Sequence, residues 1–132
     1  VASEPRKRIL VVDDDDALQR LVEVLLDRAG MEAVRAMNAA EAAQVLKTPP
    51  LPALVVLDLM LPDVSGIEFL RQMRSKDMFA DLPVIILSAL ADPSQIREGL
   101  SAGADRYLTK PYLANNLIST VQEVLRVGRK RT

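Results

Sequence analysis

The chain contains no cysteine and no histidine. The first absence removes disulfides and thiolate metal sites. The second removes imidazole as general base, zinc ligand or phosphate carrier. Any chemistry here falls to carboxylates, hydroxyls and lysine. Charge of one sign is lacking too: 17 Lys and Arg stand against 18 Asp and Glu, for a net charge of −1. A basic stripe of the kind that binds phosphates of nucleic acid is therefore absent, and no direct nucleic-acid binding by this domain is expected. The basic residues near the C-terminus, Arg126, Arg129, Lys130 and Arg131, are too few to make one, and they read as a solvated helix end or the start of a linker. No apolar run is long enough to span a bilayer and no secretory signal is visible, so a cytoplasmic protein without membrane contact is expected. The chain opens on Val1 rather than methionine, which reads as a cut or processed terminus and is compatible with a larger parent protein.

What is present is the balance of an ordinary globular domain: 132 residues, 49% hydrophobic and 27% charged. Three short apolar runs rich in β-branched residues, Ile9 to Val12, Ala53 to Leu57 and Val84 to Leu87, read as strands covered on both faces. Weaker strand candidates lie near Glu32 ("EAVRA") and Asp105 ("DRYLT"). Between them the spacing is helical. Leu18, Leu21, Val22, Leu25 and Leu26 make one apolar stripe; Ile67, Leu70 and Met73 make another, and Leu117, Val121, Val124 and Leu125 a third. Gly30, Gly66, Gly103, the run "TPPLP" and the run "DLP" fall at the joints. Strand and helix in strict alternation predict an α/β fold, with a doubly wound parallel sheet and helices on both faces.

Ligands in such sheets bind beyond the carboxyl ends of the strands. Those ends carry the polar residues: Asp13, Asp14, Asp15 and Asp16 after the first strand, Asp58 after the third, Ser88 at the fourth, Lys110 and Pro111 after the fifth. Mg2+ takes hard oxygen ligands at about 2.0–2.1 Å, commonly one or two carboxylates plus phosphate and water. Asp13, Asp14 and Asp58 can supply the carboxylates. A carboxylate can also be the nucleophile that accepts a phosphoryl group, with lysine and a hydroxyl holding the phosphoryl oxygens. Each residue alone has a plainer reading: the aspartate run as solvated loop and helix cap, Lys110 as a snorkelling surface lysine, Ser88 as a turn residue, Tyr107 as a half-buried core aromatic.

Together, "ILVVDDDD", "VVLDLMLPDVSG", "VIILSA" and "GADRYLTKPY" closely resemble the receiver domains of two-component response regulators, the chemotaxis response regulator among them, over about Arg8 to Val127. The resemblance implies a flavodoxin-like (βα)5 fold with five parallel strands in the order 2-1-3-4-5. On this division residues 1–7 are a flexible N-terminal segment, 8–127 the receiver domain and 128–132 a C-terminal tail or linker start. It further implies Asp58 as phosphoacceptor, and Asp13 and Asp14 as the acidic pair for Mg2+ or Mn2+, with Asp14 the more direct ligand and the Met60 backbone carbonyl completing the set. Ser88 and Lys110 would bind the phosphoryl group, Tyr107 would be the aromatic switch, and Lys110–Pro111 a cis peptide bond. Met60 and Leu90 would flank the path of attacking water and set the lifetime of the phosphoryl state. Asp15 and Asp16 are left as caps of the first helix.

The function so implied is a phosphoacceptor signalling domain, not an enzyme on another substrate. It would be phosphorylated by a histidine kinase or histidine phosphotransfer protein and would switch the face formed by helix 4, strand 5 and helix 5. Arg97, Glu98, Arg106 and Glu123 could pair across a phosphorylation-dependent homodimer on that face. The alternative is a Mg-dependent phosphatase of the haloacid dehalogenase type with Asp13 as nucleophile. Its D-x-D-x-[TV] pattern is met at Asp13 and Asp15 but broken by Ala17. The helix after Tyr112 lacks the pattern associated with receivers fused to winged-helix domains, so a stand-alone receiver or one from a hybrid kinase is equally compatible.

Overall fold

The computed structural model describes residues 6–110 and 114–129. Its strands are β1 (Arg8–Val12), β2 (Glu32–Ala36), β3 (Leu54–Leu57), β4 (Val84–Ser88) and β5 (Arg106–Thr109). Its helices are α1 (Asp16–Arg28), α2 (Ala39–Lys47), α3 (Gly66–Arg74), α4 (Pro93–Ser101) and α5 (Ala114–Val127), with a 3-10 turn at Asp77–Phe79 before β4. All four strand pairings are parallel and the order is β2-β1-β3-β4-β5. The chain runs outward from β1 to β2 and then crosses back to β3, so a crevice opens over the ends of β1 and β3. No described helix is long and apolar enough to cross a membrane.

Strand alternation divides the core into two layers. Leu10, Val12, Val55, Leu57, Val84 and Ile86 face α2 and α3, where Leu46, Phe69, Leu70 and Met73 meet them. Ile9, Val11, Leu54, Val56, Ile85 and Leu87 face α1 and α5, against Val22, Leu26, Leu117, Val121 and Val124. Burying each such side chain stabilises the fold by about 1.5–3 kcal/mol before entropy is counted. The helices start where polar side chains take up free N–H groups: Asp15 accepts from Leu18 at 3.1 Å, Asn38 from Glu41 at 2.8 Å and Ser65 from Glu68 at 3.2 Å.

The α1 stripe departs from its sequence reading. Leu21 is 50% exposed, whereas Gln19, on no apolar stripe, is 1% exposed. Gln19 Nε2 lies 2.9–3.1 Å from the carbonyls of Val11, Asp13 and Ala36, to which it donates, tying α1 to the ends of β1 and β2. Its donors are satisfied, while its Oε1 is buried without a hydrogen-bond partner among the described residues.

Folded contacts also extend past both ends of the 8–127 division. Arg6 donates to the carbonyls of Asp27 and Met31 at the end of α1. Arg129 is not a solvated residue: it donates to Asp105 Oδ1 at 3.0 Å, Ala80 O at 2.8 Å and Gly103 O at 3.3 Å. Asp105 draws it in, because the same carboxylate accepts from Arg74 at 3.3 Å and from the Val84 amide at 2.9 Å, with both guanidiniums mostly buried. Lys130 and Arg131 lie outside the described residues, as does the segment before Arg6. Asp105→Ala would leave two largely buried guanidiniums short of a partner. The expected loss is about 3–5 kcal/mol in urea unfolding, and a change within about 1 kcal/mol would mean that solvent screens the cluster.

Candidate functional site

Parallel register brings the strand ends to one edge. Val12 pairs with Leu57, Leu57 with Ile86, and Ser88 with Thr109. The backbone ladder runs one residue further: Asp13 N–H donates to Ala36 O at 3.0 Å, Asp58 N–H to Val12 O at 2.9 Å and Lys110 N–H to Ser88 O at 2.9 Å. Three charged side chains thus leave from fixed backbone rather than from loose loop.

They converge. Lys110 Nζ donates to Asp13 Oδ2 at 2.8 Å and to Asp58 Oδ2 at 3.3 Å. The other oxygens are also held: Asp13 Oδ1 accepts from the Asp15 amide at 2.9 Å, and Asp58 Oδ1 from the Met60 amide at 3.2 Å. Asp13 and Asp58 are 2% and 6% exposed, and Asp14 is exposed beside them. Burial pushes the Asp13 carboxyl above its ordinary range, against the hydrogen bonds from Lys110 and Asp15, and the charge of Asp58 adds to the rise. Burial also works against the Lys110 ammonium, but the hydrogen bond and charge of Asp13, joined by Asp58, raise its pKa above the ordinary value.

Asp13, Asp14 and Asp58 each offer an oxygen, all within 4.8 Å of one another. Three carboxylates against one ammonium leave negative charge in excess, and an all-oxygen, carboxylate-rich donor set suits a hard divalent cation such as Mg2+ or Mn2+. The rest of the aspartate run points elsewhere. Asp15 caps α1, and Asp16 pairs with Arg20 and with Arg35 on the surface.

Ser88 is fully buried, and its Oγ accepts from the Leu90 amide at 3.2 Å. The Tyr107 hydroxyl donates to the Leu90 carbonyl. Its ring is half-buried against α4, where a Cβ on Gly99 would come within 3.1 Å of it. Burial raises the Tyr107 pKa, and the neighbouring Ser88 hydroxyl opposes the rise. Leu90, read in the sequence only as an apolar shield, is therefore the backbone link between Ser88 and Tyr107. Its side chain packs against the core, whereas Met60 is 58% exposed. The Lys110–Pro111 bond lies outside the described residues, because Pro111 does.

Two positions near the site carry weight that the sequence reading missed. Gln19 holds the Asp13 carbonyl. Gly66, read as a joint, is a close approach: a Cβ there would lie 2.4 Å from the Asp58 carbonyl oxygen and 2.7 Å from Leu59 Cα. Only glycine lets α3 begin against the backbone of Asp58. The signal for Gly66 was its place in "LPDVSG"; Gln19 gave none, since an amide beside an apolar stripe ordinarily faces water.

With this geometry the chain has close parallels. The family model described as "Response regulator receiver domain" matches residues 9–122. The phosphate regulon transcriptional regulatory protein PhoB of Pseudomonas aeruginosa is 38% identical over 120 residues, which cover 91% of this chain and 52% of PhoB. The DNA-binding dual master transcriptional regulator RpaA of Synechocystis is 38% identical over 119 residues, 90% of this chain and 49% of RpaA. The chain thus spans about half the length of these curated relatives. A putative response regulator from Chloroflexus aurantiacus superposes with a TM-score of 0.87 at 33% identity, covering 92% of this chain and 99% of that one. Nothing in these parallels favours the haloacid dehalogenase alternative. Strand order, the meeting of Asp13, Asp14, Asp58 and Lys110, and the match over residues 9–122 agree: the chain belongs to the receiver domains of two-component response regulators.

Proposed function

We propose that Asp58 is the phosphoacceptor, taking its phosphoryl group from a histidine kinase or histidine phosphotransfer protein in a cytoplasmic phosphorelay. One observation carries this reading: Asp58 ends the central strand with Oδ2 3.3 Å from the Lys110 ammonium and Oδ1 fixed by the Met60 amide. The donor histidine lies outside these 132 residues, which contain none. An Asp58 oxygen forms the new P–O bond as the donor's P–N bond breaks, and the histidine nitrogen leaves. Lys110 neutralises the incoming oxygens, and Ser88 Oγ leaves the Leu90 amide to donate to them. Mg2+ or Mn2+, held by Asp13, Asp14, Asp58 and the Met60 carbonyl, supplies charge neutralisation at the phosphoryl oxygens when bound. The domain catalyses only its own phosphorylation and dephosphorylation.

Release of Ser88 from Leu90 would carry the change to Tyr107, because one residue bonds both. Hydrogen bonds to charged groups contribute about 1.5–3 kcal/mol each. Moving a population from 1:99 to 99:1 needs about 5.5 kcal/mol, which two such contacts, from Ser88 and Lys110, roughly reach. The face so remodelled is that of α4, β5 and α5. Arg106 is paired with Glu123 at 2.9 Å and Glu98 with Arg71 at 3.7 Å within the chain. With Arg97, they are groups that could re-pair across a homodimer.

With acetyl phosphate and Mg2+, mass spectrometry should find phosphate on Asp58, and Asp58→Asn should abolish it; phosphate on Asp13 instead would revive the phosphatase reading. Beryllofluoride with Mg2+ should shift sedimentation toward a dimer, and an unchanged profile would remove the dimer. Decay should be slow, because Met60 and Leu90 are apolar and cannot orient an attacking water. Met60→Asn with Leu90→Glu should shorten the phosphoryl lifetime in a single-turnover assay, and an unaltered lifetime would show that these side chains do not control it.

A further inference from the structure

The loop between Asp58 and Gly66 must hold Met60, whose amide orients Asp58, within a stretch that has no regular structure. Its ends are secure. Asp58 N–H is bonded to Val12 O, and Gly66 N–H folds back onto Leu59 O at 2.9 Å. Leu59 and Leu61 pack against the core on either side of Met60, but the stretch from there to the helix is exposed: Pro62, Asp63, Val64 and Ser65 all face solvent. Among the described residues, one side chain of this stretch makes hydrogen bonds beyond the loop and the helix it leads into. Asp63 Oδ1 accepts from the Ala39 amide and Oδ2 from the Ala40 amide, each at 3.0 Å, and Oδ1 also accepts from Val64 at 3.0 Å.

The partners are chosen by helix chemistry. Ala39 and Ala40 open α2, where N–H groups have no carbonyl within the helix to bond. The helix's own cap, Asn38, serves the Glu41 amide, which leaves the first two N–H groups to a carboxylate from elsewhere. Asp63 also meets the positive end of the helix dipole. The amide of Ala39, with those of Ala40 and Val64, holds the Asp63 carboxyl below its ordinary range. A two-oxygen grip fixes orientation as well as distance, and α2 is itself anchored by Ala42 and Leu46 in the core.

We infer that Asp63 is a positioning residue for the phosphoacceptor site: by pinning the middle of the β3–α3 loop to the N-terminus of α2, it sets the backbone of Met60. This rests on the reading that the Met60 carbonyl is a metal ligand, and it assigns to α2, which contributes no ligand, a part in holding the metal loop. Asp63 acts through Met60 and touches neither metal nor phosphoryl group.

The test is a Mn2+ titration of the full chain by electron paramagnetic resonance, with hydrogen exchange over the loop. Groups that orient metal ligands typically change affinity by about 10–100-fold, so a residue one step further out should cost about 3- to 10-fold on Asp63→Ala. Asp63→Asn keeps the volume and one acceptor oxygen, is the milder change for folding, and should fall between parent and Asp63→Ala. Amides of the loop should exchange faster in both variants. Asn38→Ala is the control, because it removes a cap from the same helix end without touching the loop; its Mn2+ affinity should equal the parent's. Unchanged affinity in both Asp63 variants overturns the inference while the site reading stands. An equal loss in Asn38→Ala overturns it too, since general weakening of α2 would then be the cause. A parent chain that binds no Mn2+ overturns the site reading itself, and the inference with it.

Discussion

The ammonium of Lys110 lies 2.8 Å from Asp13 and 3.3 Å from Asp58, and the active edge of the sheet depends on that contact. Remove it, and two carboxylates exposed to only 2% and 6% would face one another across β1 and β3 with their desolvation unrelieved. Removing one partner of a buried ion pair is generally more costly than the pair is worth, because the stranded charge remains. Here relief is incomplete. One lysine cannot neutralise three carboxylates, so an excess of negative charge that suits a further cation remains. Its amide contacts leave little freedom of orientation: Asp15 N–H on Asp13, Met60 N–H on Asp58.

Everything that brings these groups together is backbone. The crossover that sends the chain from β2 back across β1 to β3 makes two acidic strand ends neighbours, and the β4–β5 pairing sets Lys110 above Ser88. The opposite pole is built differently. There Arg74, Asp105 and Arg129 close a polar cluster that is saturated by carbonyls and by the Val84 amide. The acidic end keeps an electrostatic imbalance, while the other end satisfies its charges internally and holds the start of β4 and the end of α5 in place.

Between site and surface the connection is short. Leu90 gives its amide to Ser88 and its carbonyl to Tyr107, and Tyr107 lies against α4 because Gly99 leaves room for the ring. One residue therefore contacts both a buried hydroxyl beside the acidic site and a half-buried aromatic on the outer face.

The alternating elements, the two-sided core and the polar strand ends could be read directly from the chain, because apolar period and strand-end chemistry are local properties of residues such as Ile9 to Val12 and Asp58. The family resemblance then supplied the strand order, which periodicity does not encode. What depended on contacts distant in sequence stayed hidden. Gln19 looked like a surface residue until three carbonyls of β1 and β2 surrounded its amide, and Arg129 looked like a tail until Asp105 received it. Asp63 carries no local signal of its role, which depends on the two N–H groups that α2 leaves unpaired beside it. A side chain's type declares what bonds it can make. Which of them it makes is set by the backbone groups that folding leaves unpaired within reach, and only the tertiary structure decides those.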